Sequence, residues 1–461
     1  MDHGVVSGAR GRRATSRYTV RVRRDRGPGT RSRPRVPRAR LHELRIDATQ
    51  VPEGWRIARL GQVAEVVGGS TPSRARPEFW GGDIPWVVPS ELTELAGRYL
   101  QGSRESITID GLESAGLRVL PAGSILLTTR ATIGLVAINT LPISTNQGFQ
   151  SLVRRNGTES LWLYYCISSK RRELERRGAG STFREVSRDS VRALPILLPP
   201  LAEQRAIAAV LDSIDEAIES ADEVIAATER LRDALLHELL TRGLPGQHSE
   251  WKEVPGLGAI PASWKAVRLG KVCDVPRYGA GAPAQPFDPN QPRYVRITDI
   301  TDDGHLRRTD ARSADPERVE GYELQAGDLL FARSGSVGRS YLYRPEDGPC
   351  VYAGYLIRFR ARSNAAVPRF LELWTRGQFY RRWVASMLRA GAQPNINATE
   401  YSSLPVALPP LAEQTAIAAV LDSVDASIER AREERAVLST VVTSISDALL
   451  TGRVRVDQRK K

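Results

Sequence analysis

The stretch Pro199-Pro-Leu-Ala-Glu-Gln-Arg-Ala-Ile-Ala-Ala-Val-Leu-Asp-Ser-Ile-Asp-Glu-Ala-Ile-Glu219 returns at Pro409–Glu429 as PPLAEQTAIAAVLDSVDASIE, identical at 17 of 21 positions with an offset of 210 residues. A period that long is a whole domain plus a helix, so the chain reads as one unit written twice. The repeat reaches upstream. Pro52-Glu-Gly-Trp55 corresponds to Pro261-Ala-Ser-Trp264, and Arg59, Leu60, Gly61 and Val63 correspond to Arg268, Leu269, Gly270 and Val272. The copies then diverge, through Gly68-Gly-Ser-Thr-Pro72 in one and Tyr278-Gly-Ala-Gly-Ala-Pro283 in the other. They converge again at Leu120-Pro-Ala-Gly-Ser-Ile-Leu126 and Leu324-Gln-Ala-Gly-Asp-Leu-Leu330, and at Ile133-Gly134 and Val337-Gly338.

Working outward, the prolines mark a helix start, because proline is tolerated in the first turn. The second copy then places Ile417, Leu421, Val424, Ile428, Ala431, Arg435, Leu438, Val442, Ile445 and Leu449 on a four-three spacing, nine of the ten apolar. That is the seam of a coiled coil. The first copy runs Ile207, Leu211, Ile214, Ile218, Ala221, Ile225, slips by one near Thr228, and resumes at Leu231 and Leu235. Gly243-Leu-Pro-Gly246 and Gly452 stop the two helices. Some 42 residues at about 1.5 Å each make a rod of about 60 Å, near the ~70 Å of two turns of B-DNA. Each helix has one apolar stripe, so each needs the other or a partner protein.

Ahead of each helix the sequence has short β-branched or aromatic runs separated by Gly, Pro, Asn and Asp, which is strand-and-turn chemistry. A helix is expected over Leu161–Arg177 and over Arg369–Arg389, ended by Gly178-Ala-Gly180 and by Gly391. The expected fold is α/β: two mixed α/β domains separated by two long antiparallel coiled-coil helices with an internal pseudo-two-fold repeat. The expected divisions are a tail over 1–46, domain 1 over 47–200, a helix over 201–243, a linker over 244–256, domain 2 over 257–410, a helix over 411–452 and a basic tail over 453–461.

The net charge of +13 is uneven, because residues 1–45 hold 14 arginines against Asp2, Asp25 and Glu43, which leaves +2 for everything else. The pI therefore describes mostly the tail, not the body. The tail is Arg/Gly/Pro/Ser-rich without an apolar period and is expected to be disordered. It reads either as a non-structural extension or as an arm touching phosphates non-specifically. No run of about 18 apolar residues suggests a membrane span. Cys166, Cys273 and Cys350 are scattered and odd in number, which points to a reducing cytoplasm.

Catalytic signatures are missing. There is no phosphate-binding Gly-x-x-x-x-Gly-Lys-Ser/Thr. Gly279-Ala-Gly281 is a lone glycine pair, and no Asn/Asp-Pro-Pro-aromatic motif of an amino-methyltransferase occurs. His3, His42, His237, His248 and His305 do not fall at metal-ligand spacing. Glu250-Trp-Lys252 lacks the acidic partner of a nuclease.

The repeated PPLAEQxAIAAVLDSxD element, the Trp-x-x-x-Arg-Leu-Gly openings and the divergent domains between them make the chain resemble the specificity subunit of type I restriction–modification enzymes. The resemblance covers 52–452. Gly391-Ala-Gln-Pro-Asn-Ile-Asn397 is similar to that family's segment before the helix, and Gly180-Ser-Thr-Phe-Arg-Glu-Val-Ser187 departs from it in detail. The resemblance implies two target recognition domains, each reading half of a split site in double-stranded DNA, and a helix pair that rules the spacer. It also implies docking of two modification subunits that bring S-adenosylmethionine and methylate adenine N6, with translocating, cleaving subunits joining for restriction. This chain would hold no cofactor and do no catalysis. A coiled-coil scaffold that reads no DNA, and an enzyme with an unrecognised site, remain the other readings.

Direct readout favours Arg on guanine and Asn or Gln on adenine. Loop candidates in the first domain are Thr71, Arg74, Arg76, Thr129, Arg130, Asn146, Gln147 and Arg184; in the second they are Tyr278, Arg293, Arg333, Ser334, Gln393, Asn395 and Asn397. Arg171, Arg172, Arg381 and Arg382 are candidates for phosphate contact, while Pro72, Trp86 and Trp264 read as core or turn positions.

Overall fold

A computed structural model describes residues 51–178, 184–388 and 394–456. The Arg-rich tail, Gln393 and the last five residues lie outside them.

In each half the first strand after the opening tryptophan pairs with the last strand before the prolines. Arg56–Arg59 runs antiparallel to Pro195–Leu198, with Arg56 opposite Leu198. Lys265–Arg268 pairs with Pro405–Leu408 in the same way, Lys265 opposite Leu408. Each domain is thus closed at its base and feeds directly into a long helix, Leu201–Arg242 or Leu411–Leu450. Pro200 and Pro410 are the N-caps, with ψ of 148° in both. Gly243 and Gly452, at φ of 76° and 71°, end the two runs in the left-handed region that glycine adopts without strain.

The repeated Glu-Gln pair explains itself at this base. Gln204 Nε2 donates to the Pro199 carbonyl (2.9 Å) and its Oε1 accepts from Glu159 N (2.9 Å). Gln414 does the same with Pro409 (2.8 Å) and Val367 (2.8 Å). The buried Glu203 carboxylate accepts from Trp55 Nε1 at 2.9 Å, and Glu413 from Trp264 Nε1 at 3.0 Å. The sequence repeats where buried polar groups need one particular partner. A third contact differs between the halves: Arg455 reaches Glu203 (2.6 Å), and His248 Nε2 lies 2.7 Å from Glu413.

Above the base, domain 1 carries a five-stranded sheet in the order Ala64–Gly68, Gln150–Arg154, Ile125–Leu127, Val136–Asn139, Tyr99–Leu100, and a three-stranded sheet around Trp80–Val87. Domain 2 carries a four-stranded sheet in the order Arg277–Tyr278, Leu356–Arg360, Asp328–Ala332, Ser340–Leu342. Beside it Arg293–Val295 runs parallel to Cys350–Tyr352.

The long helices pair antiparallel. Arg435 meets Asp222 (3.0 Å), Arg432 meets Glu229 (2.6 Å) and Arg232 meets Asp425 (2.8 Å), so position falls on one helix as it rises on the other. Their ends enter the domain cores. Ile207, Ala208 and Leu211 join Leu449 in the core of domain 1, with Val442 and Ile445 packed against it. Ile417, Ala418 and Leu421 join Leu236, Leu239 and Leu240 in the core of domain 2. Ile428 is also buried. Ile214, Ile218, Ile225, Val424 and Leu438, in the middle of the rod, are half-buried, since two helices alone leave both flanks of a seam open. Leu231 does not resume the stripe and is 53% exposed. The stripe passes instead to Leu235 and Leu236, because a straight helix drifts from a strict seven-residue repeat.

Three further expectations change. The helix expected over Leu161–Arg177 is two, Ser160–Ser168 and Arg171–Arg177. At the break, the Ser168 and Ser169 hydroxyls donate to the carbonyls of Tyr164 and Cys166 (2.8 Å each), competing with the helix ladder. Its counterpart is Pro368–Arg376 followed by Gln378–Met387, broken at Gly377, whose ψ of 163° is extended. The linker over 244–256 contains strand Trp251–Val254, which forms a hairpin with Gly258–Pro261. The C-terminal stretch is not all free tail, since Arg455 is bonded to Glu203 and to the Glu53 carbonyl.

Candidate nucleic-acid interface

Both domains build the same cluster of loops at their tips. In domain 1 the turn Thr129–Gly134 follows the central strand, and Thr129 N donates to the Gly148 carbonyl at 2.7 Å. In domain 2 the turn Arg333–Gly338 occupies that place, and Arg333 N donates to the Tyr355 carbonyl at 3.0 Å. Val186 N returns to Thr129 O (3.1 Å) and Ile396 N to Arg333 O (2.8 Å). Arg130 bridges to Glu185 as Ser334 bridges to Asn395. The loops at Gly69 and Gly279 are pressed against the neighbouring chain in both halves: a Cβ on Gly69 would collide with the carbonyls of Thr145 and Asn146, and one on Gly279 with those of Tyr352 and Ala353. Ala131 and Gly335 hold the same left-handed turn position, at φ of 57° and 66°.

One backbone frame therefore presents two different sets of side chains. In domain 1, Thr71 Oγ1 is bonded to the exposed Gln147. Arg130 Nε pairs with Glu185 at 2.9 Å. Arg184 is exposed beside Arg172, Glu175 and Arg176, around an open cleft. Arg74 forks onto Glu105 (2.5 and 2.7 Å) and stacks 3.6 Å from the Trp80 ring centroid. The hydrogen bond from Arg74 holds the Glu105 carboxyl below its usual range. Arg76 pairs with Glu78 at 3.5 Å and lies 5.7 Å from the Phe79 ring centroid. Two candidates turn inward: Thr129 is fully buried and its Oγ1 donates to Gly148 O, and Asn146 Oδ1 accepts from Gly148 N at 2.8 Å. Trp86 is buried and donates to the Ser70 carbonyl, a core position.

In domain 2, the Arg333 guanidinium lies 4.9 Å from the Tyr278 ring centroid and its Nε donates to Asn395 Oδ1 at 3.3 Å. Tyr278 OH accepts from Ala398 N at 3.1 Å. Asn397 caps helix Ala398–Ser402, accepting from Glu400 N at 2.9 Å, so its side chain is spent on the backbone. Arg293 is not part of the cluster. It starts its strand at the end away from Tyr352 and donates to the Arg307 carbonyl at 2.5 Å. Gln393 lies outside the described residues.

Tyr355 escaped the sequence reading. It is 66% exposed on the turn between Cys350–Tyr352 and Leu356–Arg360, inside the cluster. Its signal was an aromatic directly after a turn glycine between two apolar runs. Arg188, which reaches Gln150 Oε1 at 3.4 Å beside Gly68, also went unremarked.

Among the described residues no His/Cys/Asp/Glu group could hold a metal ion, and no helix is long and apolar enough to cross a membrane. Burial pushes the thiols of Cys166, Cys273 and Cys350 up to about 12, which keeps them protonated and poor nucleophiles. Lys252 of the Glu-x-Lys pattern donates to the Ala262 carbonyl at 2.8 Å, within its hairpin.

The model of a family described as "Type I restriction modification DNA specificity domain" matches the chain twice, at residues 52–229 and 261–438. The MjaIX specificity subunit of Methanocaldococcus jannaschii is 34% identical over 256 residues, 54% of this chain and 59% of that one. The MjaVIII specificity subunit of the same organism is 23% identical over 427 residues, 90% and 95% of the two chains. A solved chain from work on assembly and conformational transition of the type I R-M system shares the fold at a TM-score of 0.58 and 20% identity, covering 88% of this chain and 99% of that one. The S subunit of M. genitalium does so at 0.52 and 14%, covering 88% and 98%. With two matched copies that span most of its length, the chain belongs to the type I restriction–modification specificity subunits and carries two DNA specificity domains.

Proposed function

We propose that each domain reads one half of a bipartite site in double-stranded DNA, that the antiparallel helices hold the two readers at the spacer distance, and that the protein itself does no chemistry. One observation carries this reading: a single backbone frame of loops is built twice, on opposite ends of a helix pair, with different side chains on it. A shared frame with divergent faces suits two different half-sites met in the same orientation. Arg333, Tyr278, Asn395 and Tyr355 would face bases in one half, and Arg130 and Gln147 in the other, with Arg184 beside Arg172 and Arg176 meeting phosphates. Direct contacts of this kind discriminate by about 1–3 kcal/mol each.

The exposed flanks of the rod, with Val224, Leu231, Val437 and Val441 at its surface, would dock two modification subunits. Those subunits would bring S-adenosylmethionine and extrude and methylate an adenine in each half-site. Restriction subunits would join the same complex. Three buried, unpaired cysteines suit work in the cytoplasm. The test is methylation mapping of DNA from cells expressing the chain with its modification subunit. A bipartite adenine motif with a fixed gap is expected; a continuous motif, or methylation by this chain alone, would overturn the reading.

A further inference from the structure

The repeated helix start carries an acid pair that the base does not use and of which the seam engages one member, Asp425, held by Arg232 at 2.8 Å. Asp212 and Asp215 of the first helix stand where Asp422 and Asp425 stand in the second. In domain 1 they receive Arg98, whose side chain is only 6% exposed: Nη2 lies 2.7 Å from Asp212, and Nη1 lies 3.4 Å from Asp215 and 3.2 Å from Glu219. Tyr165 OH adds a bond to Asp215 at 2.8 Å. Arg98 is itself held by the sheet, its carbonyl accepting from Ile138 N at 2.8 Å. In domain 2 the same two positions receive Arg369, at 2.7 Å from Asp422 and 2.8 Å from Asp425. Arg369 in turn leans on the fully buried Glu372 (2.7 Å), which Arg344 and Arg376 also hold. Arg98 comes from the edge of a sheet and Arg369 from a helix, so the repeat has kept the acids and not the cations that reach them. Two unrelated arginines converge on one place on the rod.

We propose that Arg98 and Arg369 are positioning residues that clasp each recognition domain to the acid pair of its helix, fix the pitch of the domain on the rod, and thereby set the spacer length the protein accepts. The proposal rests on the bipartite reading above. The apolar contact at Ile207 and Leu211 is a pivot in domain 1, where the clasp extends to Glu219, about 18 Å along the helix from Ile207 at 1.5 Å per residue; in domain 2 it extends from Ile417 to Asp425, about 12 Å. The base bonds at Glu203 and Gln204 and the packing of Leu449 hold the domain's foot, and a contact further along the rod opposes rocking about that foot. One added base pair shifts a half-site by about 3.4 Å and turns it by about 34°. A clasped domain cannot follow that displacement, whereas an unclasped one can.

The experiment uses the full-length chain with its modification subunits and duplexes carrying the mapped bipartite site with its native spacer or one base pair more or fewer. Wild type is expected to prefer the native spacer. Arg98→Met is expected to reduce that preference about tenfold, the size of effect that close charge pairs carry, while binding to a duplex bearing the domain 1 half-site alone is unchanged. Arg98→Lys is expected to restore most of it. Asp212→Asn weakens the same clasp from the rod side and serves if Arg98→Met does not fold. A spacer profile of unchanged shape in folded variants, with only the melting temperature lowered, would reduce the clasp to a stability device and overturn the proposal. Wild type with no spacer preference on a site that both domains do bind would overturn it as well. Failure to find any bipartite site strikes the reading beneath it, and the clasp falls with it.

Discussion

Removing the Glu413 carboxylate tests whether the base of domain 2 is held by buried hydrogen bonds or only by apolar packing. Glu413 is 7% exposed. One oxygen accepts from Trp264 Nε1 at 3.0 Å; the other lies 2.7 Å from His248 Nε2 and 3.4 Å from Leu244 N. The Trp264 side chain is fully buried, so its N–H has no route to water once the acceptor is gone. An orphaned buried donor costs about 1–3 kcal/mol. Glu413→Ala orphans the indole and weakens the anchoring of His248 and the chain leaving the first helix, so its cost is at the upper end of that range, about 2–3 kcal/mol. Glu413→Gln keeps an acceptor for the indole and should cost about half as much. Urea unfolding followed by tryptophan fluorescence measures both. A loss below about 1 kcal/mol for the alanine variant would refute the reasoning, because a surface substitution of no consequence does as little.

Arg333→Ala should lose about 1–3 kcal/mol of binding and relax one base position in the second half-site, read as a change in the methylation motif; a uniform loss across sequences would mark a phosphate contact instead. Arg184→Ala, beside Arg172 and Arg176, should lower the salt slope of binding by about one unit with the motif unchanged. Gly69→Ala should disorder the tip of domain 1 and abolish its half-site reading, since the added methyl meets the carbonyls of Thr145 and Asn146; backbone amide exchange over 129–148 would report it. Burial raises the Glu372 carboxyl, and Arg376, Arg369 and Arg344 more than reverse that, leaving it below its usual range. A depressed folded value gives stability that is present above about pH 4.3 and is lost as pH falls through the folded value. Melting curves should therefore decline more steeply below that pH in wild type than in Glu372→Gln.

The architecture was legible because its strongest constraints are local and periodic. The four-three spacing of Ile417 through Leu449 names a helix without help from tertiary structure. The repeated Trp, Glu and Gln name a base whose hydrogen bonds admit few substitutes. What the sequence hid is what long-range contact decides. The rod's stripe drifts off the seven-residue repeat to Leu236 rather than Leu231, and there it enters the core of domain 2. The broken helices at Ser168–Ser169 and at Gly377 follow from side-chain and backbone competition that periodicity does not register. Among the site candidates, residue type alone could not separate Asn397, which caps a helix, from Asn395, which meets Arg333. Nor could it show Arg74 already committed to Glu105 and Trp80.

The division of the chain into repeated and divergent parts follows from what each part must satisfy. At the base, buried donors meet a single carboxylate and a single amide, and an unsatisfied group there costs more than most surface changes can offset. Drift is therefore confined to the third ligand of that carboxylate, Arg455 in one half and His248 in the other, where either side chain supplies a donor. At the tips, the frame is held by backbone bonds, Thr129 to Gly148 and Arg333 to Tyr355, which any residue can make. Glycines at close approaches, Gly69 and Gly279 against backbone carbonyls and Gly148 against Pro89, are fixed by space. Side chains on such a frame can be exchanged without disturbing it. A protein assembled this way can change what it reads while keeping where its two readers stand.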